Sequence, residues 1–132
     1  MICELFAIAD AVQEYGGKLV VVGTYDTIVV SEIPATHPML SIAARLRFPQ
    51  SEQGSFKINI DVLGPDGRIH LNGPEGQVNI QHRERGSSVI NLAVNLMSIQ
   101  ITSCDEYSVR LTVEGREAVR VPLYVVQGNQ PG

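Results

Sequence analysis

The first place in this chain where chemistry could be done is a histidine held between a threonine and a proline. In Pro34-Ala35-Thr36-His37-Pro38 each proline fixes its own φ and pushes its predecessor toward extended backbone, so the imidazole sits on a stiff segment, read here as a loop. Upstream, Asp26-Thr27 offers a carboxylate beside a hydroxyl. If the loop folds over the strand that carries them, Asp26 and His37 pair. The imidazole then serves as general base or metal ligand, and Thr27 and Thr36 add hydrogen bonds to a small ligand. The plainer reading leaves His37 and Asp26 bonded to backbone, fixing the path of the loop. Arg45 and Arg47 are the other suggestive pair, since a spacing of two puts both on one face of a strand. They form either an anion-binding face or cross-strand pairs with Asn59 and Asp61.

Nothing else in the chain strengthens a catalytic reading. It has no Gly-x-Ser-x-Gly elbow, no His-Glu-x-x-His and no glycine-rich loop opening a helix. Asp61, Asp66, Glu75, Asp105 and Glu106 lack the spacing of a calcium loop. His70 and His82 read as surface residues beside turns. Cys3 and Cys104 show neither CxxC nor Cys/His spacing, so two reduced, buried thiols are expected, with a disulfide between them as the alternative. The expectation is no catalytic residue, no metal and no cofactor.

The elements that must position these side chains are strands. Ser55-Phe56-Lys57-Ile58-Asn59-Ile60-Asp61-Val62-Leu63 alternates apolar and polar with the period of a half-buried strand. The same period recurs in residues 40–48, 89–101, 107–113 and 119–125, with a slip of phase near Met97 that suggests a bulge. Residues 18–30 are β-rich, with Gly23 marking a bulge or a close backbone approach. Residues 40–48 and 55–63 are expected to form a hairpin. Gly64-Pro65-Asp66-Gly67 and Asn72-Gly73-Pro74-Glu75-Gly76 read as turns around a short strand, and residues 82–86 as a charged loop tip. The opening segment reads as a strand to about Asp10, then an irregular or helical turn to Gly17. Pro122 points to an edge or a bulge in the last strand. An all-β, antiparallel two-sheet sandwich of about nine strands follows, immunoglobulin-like or jelly-roll-like, with one domain over residues 1–126 and a flexible tail over 127–132.

Composition narrows the partners. The chain is 44% hydrophobic, 18% charged and 5% aromatic, with a formal charge of −4. Such a chain fills one core and offers no basic face for nucleic acid or an anionic membrane. No apolar run approaches the ~20 residues of a spanning helix. The first residues lack the pattern of a signal peptide, so a cytoplasmic protein is expected.

Gly17-Lys18-Leu19, Val22-Gly23-Thr24-Tyr25-Asp26-Thr27-Ile28, Pro34-Ala35-Thr36-His37-Pro38, Ala44-Arg45-Leu46-Arg47-Phe48, Glu106-Tyr107, Gly115 and Pro122-Leu123-Tyr124-Val125 together resemble a family of small bacterial all-β proteins of unknown function. The resemblance spans nearly the whole chain. It implies a compact bacterial sandwich whose first segment is a strand, and it carries no catalytic residue across.

With no catalytic constellation, low charge and long apolar-flanked strands, the leading expectation is a non-enzymatic interaction domain that binds a protein partner or itself. Asn91 and Asn95, opposite Leu92 and Val94, mark a face of low charge that some device must cover. The alternatives are a small-ligand binder around Asp26 and His37, and a metal-assisted hydrolase using the same two residues.

Overall fold

The computed structural model describes residues 1–82 and 86–128. Among these, nine strands and no helix are found: β1 (Ile2–Tyr15), β2 (Lys18–Thr24), β3 (Thr27–Val30), β4 (Ala35–Phe48), β5 (Gly54–Leu63), β6 (Ile69–Ile80), β7 (Ser88–Ile101), β8 (Glu106–Val113) and β9 (Arg116–Gln127). They form two sheets, ordered β2-β1-β4-β7 and β3-β9-β8-β5-β6. All neighbours are antiparallel except β3 and β9, which run parallel, so the expected wholly antiparallel arrangement is corrected at one edge. Most of the charged tip at 82–86 (residues 83–85) and residues 129–132 of the expected tail at 127–132 lie outside the described residues; Gln127 instead ends β9, and the Gly128 amide is bonded to the Val30 carbonyl.

One core joins the sheets. Leu40, Ile42, Leu46 and Phe48 from β4 meet Ile58, Ile60 and Val62 from β5 and Tyr107, Val109 and Leu111 from β8, all buried. Each such side chain contributes about 1.5–3 kcal/mol by leaving water. Phe48 packs on Phe56 with ring centroids 4.9 Å apart. The inward phase expected for β5 is therefore the one observed.

Several boundaries differ from the sequence reading, each for a physical reason. Residues 40–48 and 55–63 are not a hairpin: β4 pairs with β1 and β7, whereas β5 pairs with β6 and β8. Alternation specifies a face but not a neighbour. The β1 strand continues past Asp10 to Tyr15, because its far half pairs with β2 as a hairpin. Residues 72–76, which read as a turn, instead lie within one strand, β6. Its register on β5 slips between Asn59 and Asp61, and a Cβ at Gly73 would lie 1.9 Å from the Ile60 carbonyl oxygen, so only glycine allows this close approach. The Gly64–Gly67 turn is as expected, closed by the Gly67 amide donating to the Gly64 carbonyl at 3.0 Å. Pro122 lies in β9 beyond the reach of β3, which pairs only with residues 124–127, so it sits on a locally open edge.

The first sheet curls. Ser41 and Ala43, whose side chains point away from the core, are as buried as Leu40 and Ile42. Ala7, Ala43 and Ala93 lie in register across β1, β4 and β7, a row of small side chains that lets another layer approach. That layer is the β1–β2 hairpin: Asn91 Nδ2 donates to the Gly17 carbonyl at 2.9 Å. The hairpin thus folds over the face that the sequence left without a cover.

The thiols and histidines also depart from expectation. Cys3 and Cys104 are free, but neither is fully buried: Cys3 is half-buried and Cys104 exposed. His82 is half-buried and bonded to Ser88 Oγ at 2.8 Å and to the Glu52 carbonyl, and His70 contacts the Gln100 carbonyl. His70 thus ties β6 to β7, and His82 ties the β4–β5 connection to the start of β7.

Candidate functional site at the crossover corner

Between β2 and β3 the chain passes from one sheet to the other in two residues. The Tyr25 amide donates to the Ile8 carbonyl at 3.0 Å, and the Asp26 carbonyl accepts from the Tyr124 amide at 2.7 Å. One residue is thus bonded to each sheet, which makes the corner rigid. This step is also where the apolar run from residue 18 to 30 breaks.

His37 reaches the corner from β4, so it lies on a strand and not in the expected loop. Its direction follows from a change of phase. Leu40 and Leu96 are buried before the change, and Ile99 and Ile101 after it. At the change Pro38 faces Ser98, whose φ is +52°. Unbroken alternation back from Leu40 would turn His37 outward; the slip turns it toward Tyr25. There His37 Nε2 lies 3.2 Å from the Tyr25 hydroxyl, with the rings edge-on at 64°.

Asp10, on β1, completes the group. A Cβ at position 23 would lie 2.5 Å from Asp10 Oδ2, and Gly23 has φ +70°. The close approach expected at Gly23 is therefore to a carboxylate. Burial pushes the His37 imidazole below its ordinary value, and the Asp10 charge and a hydrogen bond with the Met39 backbone offset this only in part. His37 is therefore neutral at neutral pH. A neutral imidazole can accept the Tyr25 hydroxyl proton at Nε2. Burial and then the Asp10 charge raise the Tyr25 phenol. Among the described residues no cation is paired with Asp10.

These side chains line a hollow of about 320 Å³ that also takes in Thr27 and Val29 of β3. The Tyr124 amide bonds the Asp26 carbonyl and the Gly128 amide bonds the Val30 carbonyl at 3.0 Å. By the alternation of a parallel ladder, Ile28 and Val30 spend their backbone groups on β9, and those of Thr27 and Val29 point outward. Among the described residues no strand pairs with that side of β3. On the outer face Val29 stands beside Val126, and the two are 58% and 44% exposed.

Of the residues singled out in the sequence, His37 and Thr27 line this hollow. Asp26 accepts from the Thr27 hydroxyl at 2.8 Å and faces a broader hollow on the other side of the crossover, beside Phe6, Ile8 and Pro122. The partner of His37 is thus Tyr25, with Asp10 supplying the nearby charge. The Thr36 hydroxyl meets Gln100 Oε1 at 3.4 Å. Sequence reasoning missed Asp10 and Tyr25; the one trace of Asp10 is the glycine opposite it. Among the described residues no three His, Cys, Asp or Glu side chains converge as a metal site.

Arg45 and Arg47 share a face as expected, but Asn59 and Asp61 lie in the other sheet. Arg45 Nε and Arg47 Nε donate to the two oxygens of Glu4 at 2.9 and 2.7 Å. The register of β1 on β4 slips between Cys3 and Leu5, and this bulge places Glu4 opposite both guanidiniums. Together they hold the Glu4 carboxyl below its usual range. The anion these arginines hold is one of the chain's own. Asp61 instead meets Arg110 Nη2 at 3.2 Å and Asn59 Nδ2 at 3.1 Å.

With this geometry in view, the chain can be set beside known proteins. Residues 4–126 match the model of DUF6941, a family of unknown function. The chain belongs to that family. This DUF6941 member is also 29% identical over 98 residues to an arginine deiminase of Lentilactobacillus hilgardii, a match covering 70% of this chain and 23% of that protein. The chain thus spans under a quarter of that relative's length. A solved structure of the Pseudomonas fluorescens alkylpurine DNA glycosylase AlkC, bound to DNA containing an abasic site analog, is similar at TM-score 0.41 and 10% identity. It covers 91% of this chain and 30% of that one, a likeness too distant to bear on activity. No helix among the described residues is long and apolar enough to cross a membrane.

Proposed function

We propose that this domain is a non-catalytic interaction module that binds an extended segment of a protein partner by strand addition to the open edge of β3. The observation that carries the reading is the outward pair of backbone donors and acceptors at Thr27 and Val29, which borders a hollow and, among the described residues, no further strand. Open edges are the sites where extended peptides add to sheets, with main-chain bonds giving affinity and alternate side chains giving specificity.

The frame itself we read as immunoglobulin-like. The run β9-β8-β5-β6 follows the order G-F-C-C′ of a variable-type domain. Tyr107, near the start of β8, donates from its hydroxyl to the Ser103 carbonyl at 3.1 Å, as a tyrosine corner does. The curl of the first sheet is the departure from that pattern.

The test is selection of random phage-displayed decapeptides on the immobilised domain, followed by binding to Val29→Pro. Proline removes the outward amide of Val29 and leaves the bonds from Ile28 and Val30 to β9 in place. Enriched peptides that lose their binding to Val29→Pro are expected, with the far-ultraviolet circular dichroism of the variant unchanged. Peptides that bind the variant as well as wild type would defeat the proposal.

Self-association is the second reading, favoured by the outer face of the β1–β2 hairpin, where Tyr15, Val20 and Val22 are exposed. Sedimentation velocity that shows a monomer at every concentration would remove it.

A further inference from the structure

We infer that the strand recognised at β3 carries a lysine or arginine whose side chain enters the hollow between Asp10, Tyr25 and His37, with apolar residues on either side of it. This rests on the strand-addition reading above and adds the chemistry of the partner. A strand laid along β3 alternates its side chains between two faces. On the outer face its side chains extend the apolar surface of Val29 and Val126, which already stand in register. On the inner face they point into the hollow.

What the hollow offers there is acceptors. The Asp10 carboxylate lies at its wall with no cation of the chain paired to it among the described residues. The Tyr25 hydroxyl lies 3.2 Å from His37 Nε2 at the wall of the hollow, and its oxygen can accept a further hydrogen bond there. The imidazole is neutral and repels no incoming charge. Gly23 is the further sign of a built feature, since any side chain at that position would displace the Asp10 carboxylate. A carboxylate kept clear in this way, beside a phenolic oxygen and in a chain of net charge −4, complements an ammonium or guanidinium group.

The experiment takes the phage-displayed decapeptides selected on wild type and measures, by fluorescence polarisation, synthetic copies with the basic residue and with norleucine in its place. The inference expects one fixed basic position among the selected peptides. Replacing that residue by norleucine, or Asp10 by Asn in the domain, weakens binding roughly tenfold each. Against the norleucine peptide the Asp10→Asn domain matches wild type within about twofold, because the charge pair is already gone. Selected peptides that need the Val29 amide but show no basic position, or bind Asp10→Asn unchanged, overturn this inference and leave strand addition standing. Peptides indifferent to both Val29→Pro and Asp10→Asn overturn both. Asp10 is exposed and has no ion-pair partner among the described residues, so Asp10→Asn tests the charge without disturbing the fold.

Discussion

Two carboxylates of one strand have opposite fates. Glu4 sits in a bulge of β1 and is gripped by Arg45 and Arg47. Asp10, further along the same strand, is given space by Gly23 and no cation among the described residues. The first is an interaction completed within the fold. The second is an acceptor left open beside an open strand edge. The difference teaches where to look for function in a chain without a catalytic constellation: at the charge the fold positions and does not use.

The largest effect that sharpens this comparison lies at a third carboxylate. Asp61 is 2% exposed and bonded to Arg110. Removing one member of a buried pair strands the other, so Asp61→Ala is expected to cost about 3 kcal/mol in urea unfolding. A loss below about 1 kcal/mol would mean the Arg110 guanidinium finds water instead. Next comes Gly23→Ala. It forces an L-residue into left-handed backbone and is expected to cost about 1–2 kcal/mol, while pushing aside Asp10 and with it the basic peptide. Stability and binding both at wild-type level would show that neither the backbone nor the carboxylate is held as described.

Smaller effects separate the two carboxylates themselves. Glu4→Gln is expected to lower the thermal midpoint slightly in dilute buffer and not at all in molar salt, because exposed ion pairs are screened. Asp10→Asn is expected to leave the midpoint unchanged at either salt concentration. If the two variants responded alike, the contrast between a used and an unused charge would collapse.

The smallest effect is a slope. An unfolded histidine takes up its proton near pH 6.5, and folded His37 does so only at lower pH. Between those two values the unfolded state binds more protons, so stability falls as pH drops through the window. Above it both states are neutral and His37 adds no slope. Thermal midpoints measured from about pH 8 to about pH 5 are expected to fall less steeply in His37→Gln than in wild type. Identical slopes would place His37 in water rather than against Tyr25.

The strands were legible because burial imposes a period on them. Phe56, Ile58 and Ile60 announced their face, and the slip at Met97 announced Ser98. Sheet membership was not legible, since alternation in β4 and β5 is the same whether they pair or face each other across the core. The hairpin over Ala43 and Ala93 was hidden for a related reason: small side chains signal close approach but not by what. At the candidate site, His37 was visible through the prolines around it. Tyr25 and Asp10 were not, because their meeting depends on the phase change at Pro38 and on the two-residue crossover, neither of which has a sequence period.

The most direct test of the open β3 edge is amide hydrogen exchange with and without a selected decapeptide. Strand addition predicts that the Thr27 and Val29 amides, which face no strand among the described residues, slow by at least about tenfold, while Ile28 and Val30, already bonded to β9, change little. Protection that appears elsewhere and leaves Thr27 and Val29 exchanging freely would contradict the account.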